Sequence, residues 1–329
     1  MISVLVTGST TPIGERLVRS LIADTRVQHV LAVGLKPPEG ALPFSHGKRL
    51  TYVKADLGRE RRVRELLYGP ARDLGVQVVV HLAEQTGAHD RGRQVRAQSV
   101  EALRSILDLS DQHPTIRRLV VKSHAEVYRV SLDLPVLVTE DHPLNLAPDA
   151  PQCIRDRVEA DLTACARMGL LGCEIVVLRS AEALGPGTGS QLYDFLNAPV
   201  ALRVAGFDPM VNVATISDIV VALEKATYGS GEGVFNIPGY DTLPLSECIR
   251  KWGTPALPLP GVLVRPLYAW RHWARGSEFS YGMSRRRMHY GLVLDGARAR
   301  AVLGYIPDCP VDWPVGGSIR SARFLEAHR

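Results

Sequence analysis

Val4-Leu5-Val6-Thr7-Gly8-Ser9-Thr10-Thr11-Pro12-Ile13-Gly14-Glu15-Arg16-Leu17-Val18 stands at the start of the chain and decides how the rest is read. An apolar run ends in a turn bracketed by Gly8 and Gly14. Ile13, Leu17, Leu21 and Ile22 then recur at helical spacing, so the segment predicts strand, tight turn, helix. Small residues in such a turn let an anion approach the backbone, where the free N–H groups and the dipole of a helix N-terminus favour negative charge. The stretch predicts a cradle for the pyrophosphate of a dinucleotide.

Working outward, apolar runs recur at Val27–Gly34, Leu50–Leu57, Val76–Ala83, Ile116–Ser123 and Cys173–Arg179, with helical patterns near 59–67 and 95–112 between them. This alternation predicts an α/β fold, a doubly wound parallel sheet of Rossmann type. Beyond Leu184 the alternation gives way to sequence rich in Pro and Gly, which suits a smaller C-terminal substrate lobe. Residues 1–184 are assigned to the core, with 211–238 returning to it, and 185–210 and 239–329 to the capping lobe.

The chain has 329 residues, 46% hydrophobic and 22% charged, an ordinary globular composition without repeats or low-complexity tracts. It shows neither a leader-like apolar segment near its start nor a run long enough to span a bilayer, and a cytoplasmic location is expected. The cysteines, Cys153, Cys165, Cys173, Cys248 and Cys309, are odd in number and lack metal-ligand spacing, which predicts free thiols and no metal site. The net charge of +5 is concentrated late, in Arg265, Arg271, Arg275, Arg285, Arg286 and Arg287, interleaved with Tyr268, Trp270 and Trp273. Segment 262–290 is therefore a candidate for an anionic ligand, for peripheral membrane contact, or for a plain solvated face; nucleic acid is not favoured.

The glycine turn resembles the Thr-Gly-x-x-Gly-x-x-Gly loop of the extended short-chain dehydrogenase/reductase family, the NAD-dependent epimerases and dehydratases, with Thr11 at the middle glycine. Its Cβ either crowds the phosphates or shifts the loop. Further resemblances are the strand ending His81-Leu82-Ala83, the stretch Lys122-Ser123-His124-Ala125-Glu126-Val127-Tyr128, Arg179 through Gly187, Gly233-Val234-Phe235-Asn236-Ile237, and the last-helix signature Asp295 through Pro307. Asp218 reads as a structural residue at a helix start, and His81 as a packed histidine.

The resemblance implies a dinucleotide held by Gly8, Thr10, Thr11, Pro12, Ile13, Gly14, Asp56, Leu57, Leu82 and Ala83. Rossmann-type NAD proteins place an acid after the second strand to accept bonds from the ribose hydroxyls; this chain has Lys36, which favours NADP over NAD unless it is only a loop lysine and no cofactor binds. The family's catalytic Ser, Tyr and Lys fall on His124, Cys153 and Arg157, and no tyrosine of the chain is followed four residues later by lysine. A Cys153–His124 thiolate–imidazole pair is one reading of this departure; a small residue left where a catalyst was lost is the other. Arg265 and Arg287 are candidates for a substrate phosphate. The resemblance further implies a homodimer. Two functions follow: an NAD(P)-binding family member with a degenerate site, weakly active or non-catalytic; or an active sugar-nucleotide epimerase/dehydratase or ketoreductase using His124, Cys153 and Arg157.

Overall fold

The computed structural model describes residues 1–36, 49–84 and 87–314; the end of the assigned lobe, from 315, lies outside them. Seven strands form one parallel sheet: β1 (Ile2–Thr7), β2 (Val27–Gly34), β3 (Leu50–Lys54), β4 (Val76–His81), β5 (Arg118–His124), β6 (Glu174–Ser180) and β7 (Gly233–Ile237), in the order β3-β2-β1-β4-β5-β6-β7.

These strands are nearly continuous in Val, Ile and Leu because both faces of the sheet are covered. Successive side chains alternate between two cores. Val4, Val6, Val78, Val80 and Val120 enter the first, while Leu5, Val76, Val79, Leu119 and Val121 enter the second. Helix α1 (Pro12–Ala23) seals the first core with Ile13, Leu17, Val18 and Leu21, beside α3 (Ile216–Tyr228). The second core is covered by helices Glu60–Leu66 and Ala102–Ser110 and by the end of α2 (Gln152–Cys165). Asp218 is structural: it completes a capping box with Thr215 at the start of α3 and accepts from the Asp308 and Cys309 amides.

A third core, smaller and separate, gathers Leu184, Phe195, Leu202, Trp252, Val264, Tyr268 and Phe279. It includes α4 (Gly261–Arg275). The segment from Leu294 to Tyr305 packs back on the first core, where the Tyr305 hydroxyl donates to the Pro238 carbonyl. The strand order reverses between β1 and β4, so a crevice opens above their C-terminal ends, the place where such sheets bind ligands. The glycine turn leaves β1 there, Leu82–Glu84 leaves β4, and β5 ends alongside at His124.

Candidate functional site

The turn is locked by contact. Gly8 has φ +65, and a Cβ on it would meet the Leu82 carbonyl carbon at 2.8 Å; a Cβ on Gly14 would meet the Gly8 carbonyl oxygen at 2.2 Å. Thr11, flagged for its extra Cβ, turns out to cap α1: its hydroxyl accepts from the Gly14 amide at 3.1 Å and donates to the Gly8 carbonyl at 2.8 Å. Pro12 has no amide proton, and the Glu15 amide goes to the Thr11 carbonyl at 2.8 Å. Of the first-turn amides, only that of Ile13 is left for an incoming phosphate.

At the adenosine end, Lys36 is exposed just past β2, and the Tyr52 hydroxyl donates to its carbonyl. Asp56 accepts from the Gly58 amide at 3.1 Å and lies 3.5 Å from Arg59 Nε, while Leu57 is buried in the second core. The glycine turn, the Ile13 amide, Lys36 and Asp56 fit the adenosine diphosphate part of a dinucleotide.

The other end of the crevice is filled. Both Glu84 carboxylate oxygens lie against His124 Nε2, at 2.6 and 2.7 Å; Lys122 Nζ donates to Glu84 at 3.1 Å and lies 3.0 Å from the same imidazole nitrogen. Arg157 from α2 pairs with Glu126, which also accepts from Arg287 at 2.5 Å, and Arg287 reaches Glu182. Three cations face three carboxylates, all largely withdrawn from water. Burial would raise Glu84, but His124 and Lys122 hold it well below the usual carboxylate range. Burial and the Arg157 charge push His124 down to about 4, and burial lowers Lys122 against the pull of Glu84.

Around Glu84, Lys122 and His124 lie a cavity of about 30 Å³, beneath Glu84 and Lys122, and one of about 10 Å³ between Ile13 and His124. Such volumes hold a water molecule or two, not an aromatic ring. With the side chains in this arrangement, neither cavity has room for a nicotinamide.

His81 is a packed histidine: the Thr7 hydroxyl oxygen accepts from the Leu82 and Ala83 amides and pairs with His81 Nδ1 at 3.0 Å. Burial pushes its pKa to about 4 as well. Each of these two histidines, ordinarily near 6.5, takes up a proton in the unfolded chain well before it does so in the folded one. Their stability contribution is thus whole above about pH 6.5 and is lost as pH falls toward about 4, with a combined slope of up to ~2.7 kcal/mol per pH unit. Urea unfolding across that window checks the slope, and His124→Gln is expected to remove about half of it.

Beside this site lies a cleft of about 950 Å³ lined, among the described residues, by Arg91, Arg155, Arg265, Arg285, Arg286 and Arg287 against two carboxylates, Glu126 and Asp149. Its size matches a ligand pocket, roughly 300–1,000 Å³. Its charge suits an anion.

The profile of the NAD dependent epimerase/dehydratase family matches residues 4–202. The chain belongs to that family. An uncharacterised protein of Mycobacterium tuberculosis and its counterpart in Mycobacterium bovis are each 29% identical over 313 residues, spanning 92% of this chain and 80% of theirs. Among solved structures, dTDP-glucose 4,6-dehydratase of Bacillus anthracis in complex with NAD has a TM-score of 0.72 at 17% identity, over 99% of this chain and 97% of its own. The UDP-glucuronic acid 4-epimerase of Bacillus cereus in complex with UDP-glucuronic acid and NAD gives 0.70 at 16%, over 94% and 95%. At these identities the two structures speak for the fold.

Of the three positions the family uses for catalysis, the structure brings His124 and Arg157 into one cluster and turns Cys153 away from it. His124 joins Glu84 and Lys122, Arg157 joins Glu126, and the Cys153 thiol is packed against the Ala88 carbonyl at 3.9 Å and Met283 Sδ at 3.5 Å. Among the described residues Cys153 and His124 share no bond, and burial raises the thiol's pKa. The thiol's contacts are thus on the Ala88 and Met283 side and not on the imidazole.

Among the described residues the partners of the Lys122 ammonium are Glu84 and His124. Tyr128, the family's Val-Tyr tyrosine, is 2% exposed; it donates to Asn236 at 2.6 Å, accepts from Arg179 at 3.1 Å, and is pushed by burial to about 12. Arg179 in turn pairs with buried Asp161, which accepts from Ser123 at 2.6 Å, a network that ties β5, β6 and α2 together. Glu84, Lys122, Glu126 and Glu182 were not singled out from sequence. The available signal was Glu84, an acid where the family's His-x-Ala-Ala strand ending has alanine.

Proposed function

We propose that this protein is a ligand-binding member of the epimerase/dehydratase family: it holds the adenosine diphosphate part of NADP, or of NAD, and an anionic ligand of the sugar-nucleotide type, without the family's Tyr/Lys proton transfer. The observation that carries this reading is the ion cluster of Glu84, Lys122, His124 and Arg157, which fills the crevice where the resemblance puts the nicotinamide and the reacting oxygen.

A nicotinamide cofactor, when bound, supplies hydride acceptance in the family. Here the chain's own residues bind and exclude. The Ile13 amide and the α1 N-terminus hold a phosphate. Lys36 pairs with a ribose 2′-phosphate, which is the reason to favour NADP. The cleft arginines take the ligand's diphosphate through planar, charge-assisted bonds. Glu84 and Lys122 are bonded to each other, and their partners among the described residues include no tyrosine hydroxyl. Arg157 keeps a positive charge at the family's lysine position but cannot shuttle a proton at neutral pH.

The experiment is paired. Fluorescence titration with NADPH, NADH and UDP- or dTDP-sugars is expected to give saturable binding, tighter for NADPH than NADH. Incubation of the same mixtures with oxidised cofactor is expected to give neither reduced nicotinamide nor altered sugar. Product formation that disappears in His124→Ala or Arg157→Met would instead establish the second reading, an active epimerase/dehydratase running on unusual residues. The close carboxylate–imidazole contact of Glu84 and His124 is the one feature that favours it.

A further inference from the structure

Helix α4 is docked by one face and apolar on the other. Its inner face enters the third core through Val264 and Tyr268; the Tyr268 hydroxyl accepts from the Leu202 amide at 3.1 Å and donates to its carbonyl at 3.0 Å. Its outer face carries Val262, 82% exposed, Leu263, 47%, Trp270, 58%, and Trp273, 83%. At about 100° per residue these positions, with Pro266, Leu267 and Ala274, fall in a stripe about 140° wide. Scattered surface apolar residues are normal in a soluble protein, but a continuous stripe holding two exposed tryptophans is an interaction face.

The charge around the stripe says what covers it. From Cys248 to Ser277 the chain has no Asp or Glu, while Arg250, Lys251, Arg265, Arg271 and Arg275 lie in that span. Arg265 is exposed about 60° outside one edge of the stripe and Arg271 flanks the other, partly spent on the Val200 carbonyl at 2.8 Å; Arg275 is exposed on the last turn, on the side of the helix away from the stripe. Indole rings with arginines alongside match the boundary between acyl chains and anionic headgroups, where an amphipathic helix lies in the plane of the bilayer. No helix among the described residues is long and apolar enough to cross a membrane.

We propose that α4 is a docking face for an anionic lipid bilayer, with Val262, Leu263, Trp270 and Trp273 entering the headgroup boundary and Arg265 meeting lipid phosphates. Arg265 also lines the cationic cleft, so docking brings the mouth of that cleft to the headgroup layer.

Co-sedimentation of the whole protein with vesicles tests this, using phosphatidylcholine alone or mixed with phosphatidylglycerol. Binding is expected on the mixed vesicles, weakening with salt and accompanied by a blue shift of tryptophan emission. The double variant W270S/W273S is expected to lower vesicle affinity at least ~10-fold, with an unchanged thermal melt and unchanged NADPH titration. Absence of binding to mixed vesicles, equal binding to both kinds, or binding that survives the double variant would overturn the proposal. So would concentration-dependent self-association that the same variant abolishes, since that assigns the face to a second copy of the chain.

Discussion

Replacing Glu84 with Gln is expected to lower folding stability by roughly 3–5 kcal/mol, the usual cost of removing one partner from a buried ion pair. Lys122 has a side chain only 7% exposed, and its bonded partners are Glu84 and the imidazole of His124. Without the carboxylate, the ammonium stays buried beside the Arg157 guanidinium, with a glutamine carbonyl as its nearest acceptor. The chain then either loses the Lys122 proton or opens the crevice to water, and both are costly. The double variant Glu84→Gln, Lys122→Met removes the stranded charge and is expected to recover more than half of the loss. Urea unfolding of the wild type and the two variants measures this; a single-variant loss under about 1 kcal/mol, the level of an exposed pair, would show that the cluster does not hold the crevice closed.

Gly14→Ala is expected to be about as damaging, for a steric reason. The new methyl would lie 2.2 Å from the Gly8 carbonyl oxygen and 2.9 Å from the Ser9 Cα. Neither can yield easily, because Gly8 is itself pressed against the Leu82–Ala83 backbone. Overpacking against backbone at this separation is expected to cost about 3 kcal/mol, the upper end of its usual range, and to abolish dinucleotide binding. Thr11→Gly makes the contrast. It restores the family's middle glycine and frees the Gly14 amide at a cost of a few tenths of a kcal/mol, roughly that of replacing an N-cap threonine by glycine. Nucleotide affinity should rise in that variant, and a melt with and without NADPH distinguishes the two.

How much of this was legible in the sequence follows from the range of the forces involved. The seven strands and the turn are local events: β-branched runs flanked by Gly, and a Pro12–Ile13–Gly14 helix start, declare themselves within a dozen residues. The capping of α1 by Thr11 was equally local, yet the comparison with the family drew attention to its Cβ and away from its hydroxyl, which is the part that acts.

The ion cluster was not local at all. Glu84, Lys122, Arg157, Glu182 and Arg287 come from five separate segments, and nothing in any one of them says that its charge is buried. Cys153 shows the same limit from the other side. Its position in the family's register suggested a partnership with His124, but the fold turns the thiol toward Met283, a residue of the late segment whose placement no periodicity predicts. Lys36 lies at the end of β2 as the strand pattern required, and what it pairs with depends on a ligand rather than on the fold.

The proposed site grips only the adenosine end of the dinucleotide, where a site for the whole dinucleotide would also seat the ring. Equilibrium binding of NADP and of 2′-phospho-ADP-ribose, which lacks the nicotinamide, separates them directly. With the crevice filled by Glu84, Lys122, His124 and Arg157, the two ligands are predicted to bind with affinities within about threefold of each other, a difference near 0.7 kcal/mol or less. NADP binding more than about tenfold tighter would mean that the ring has a seat beside His124, and would contradict the account.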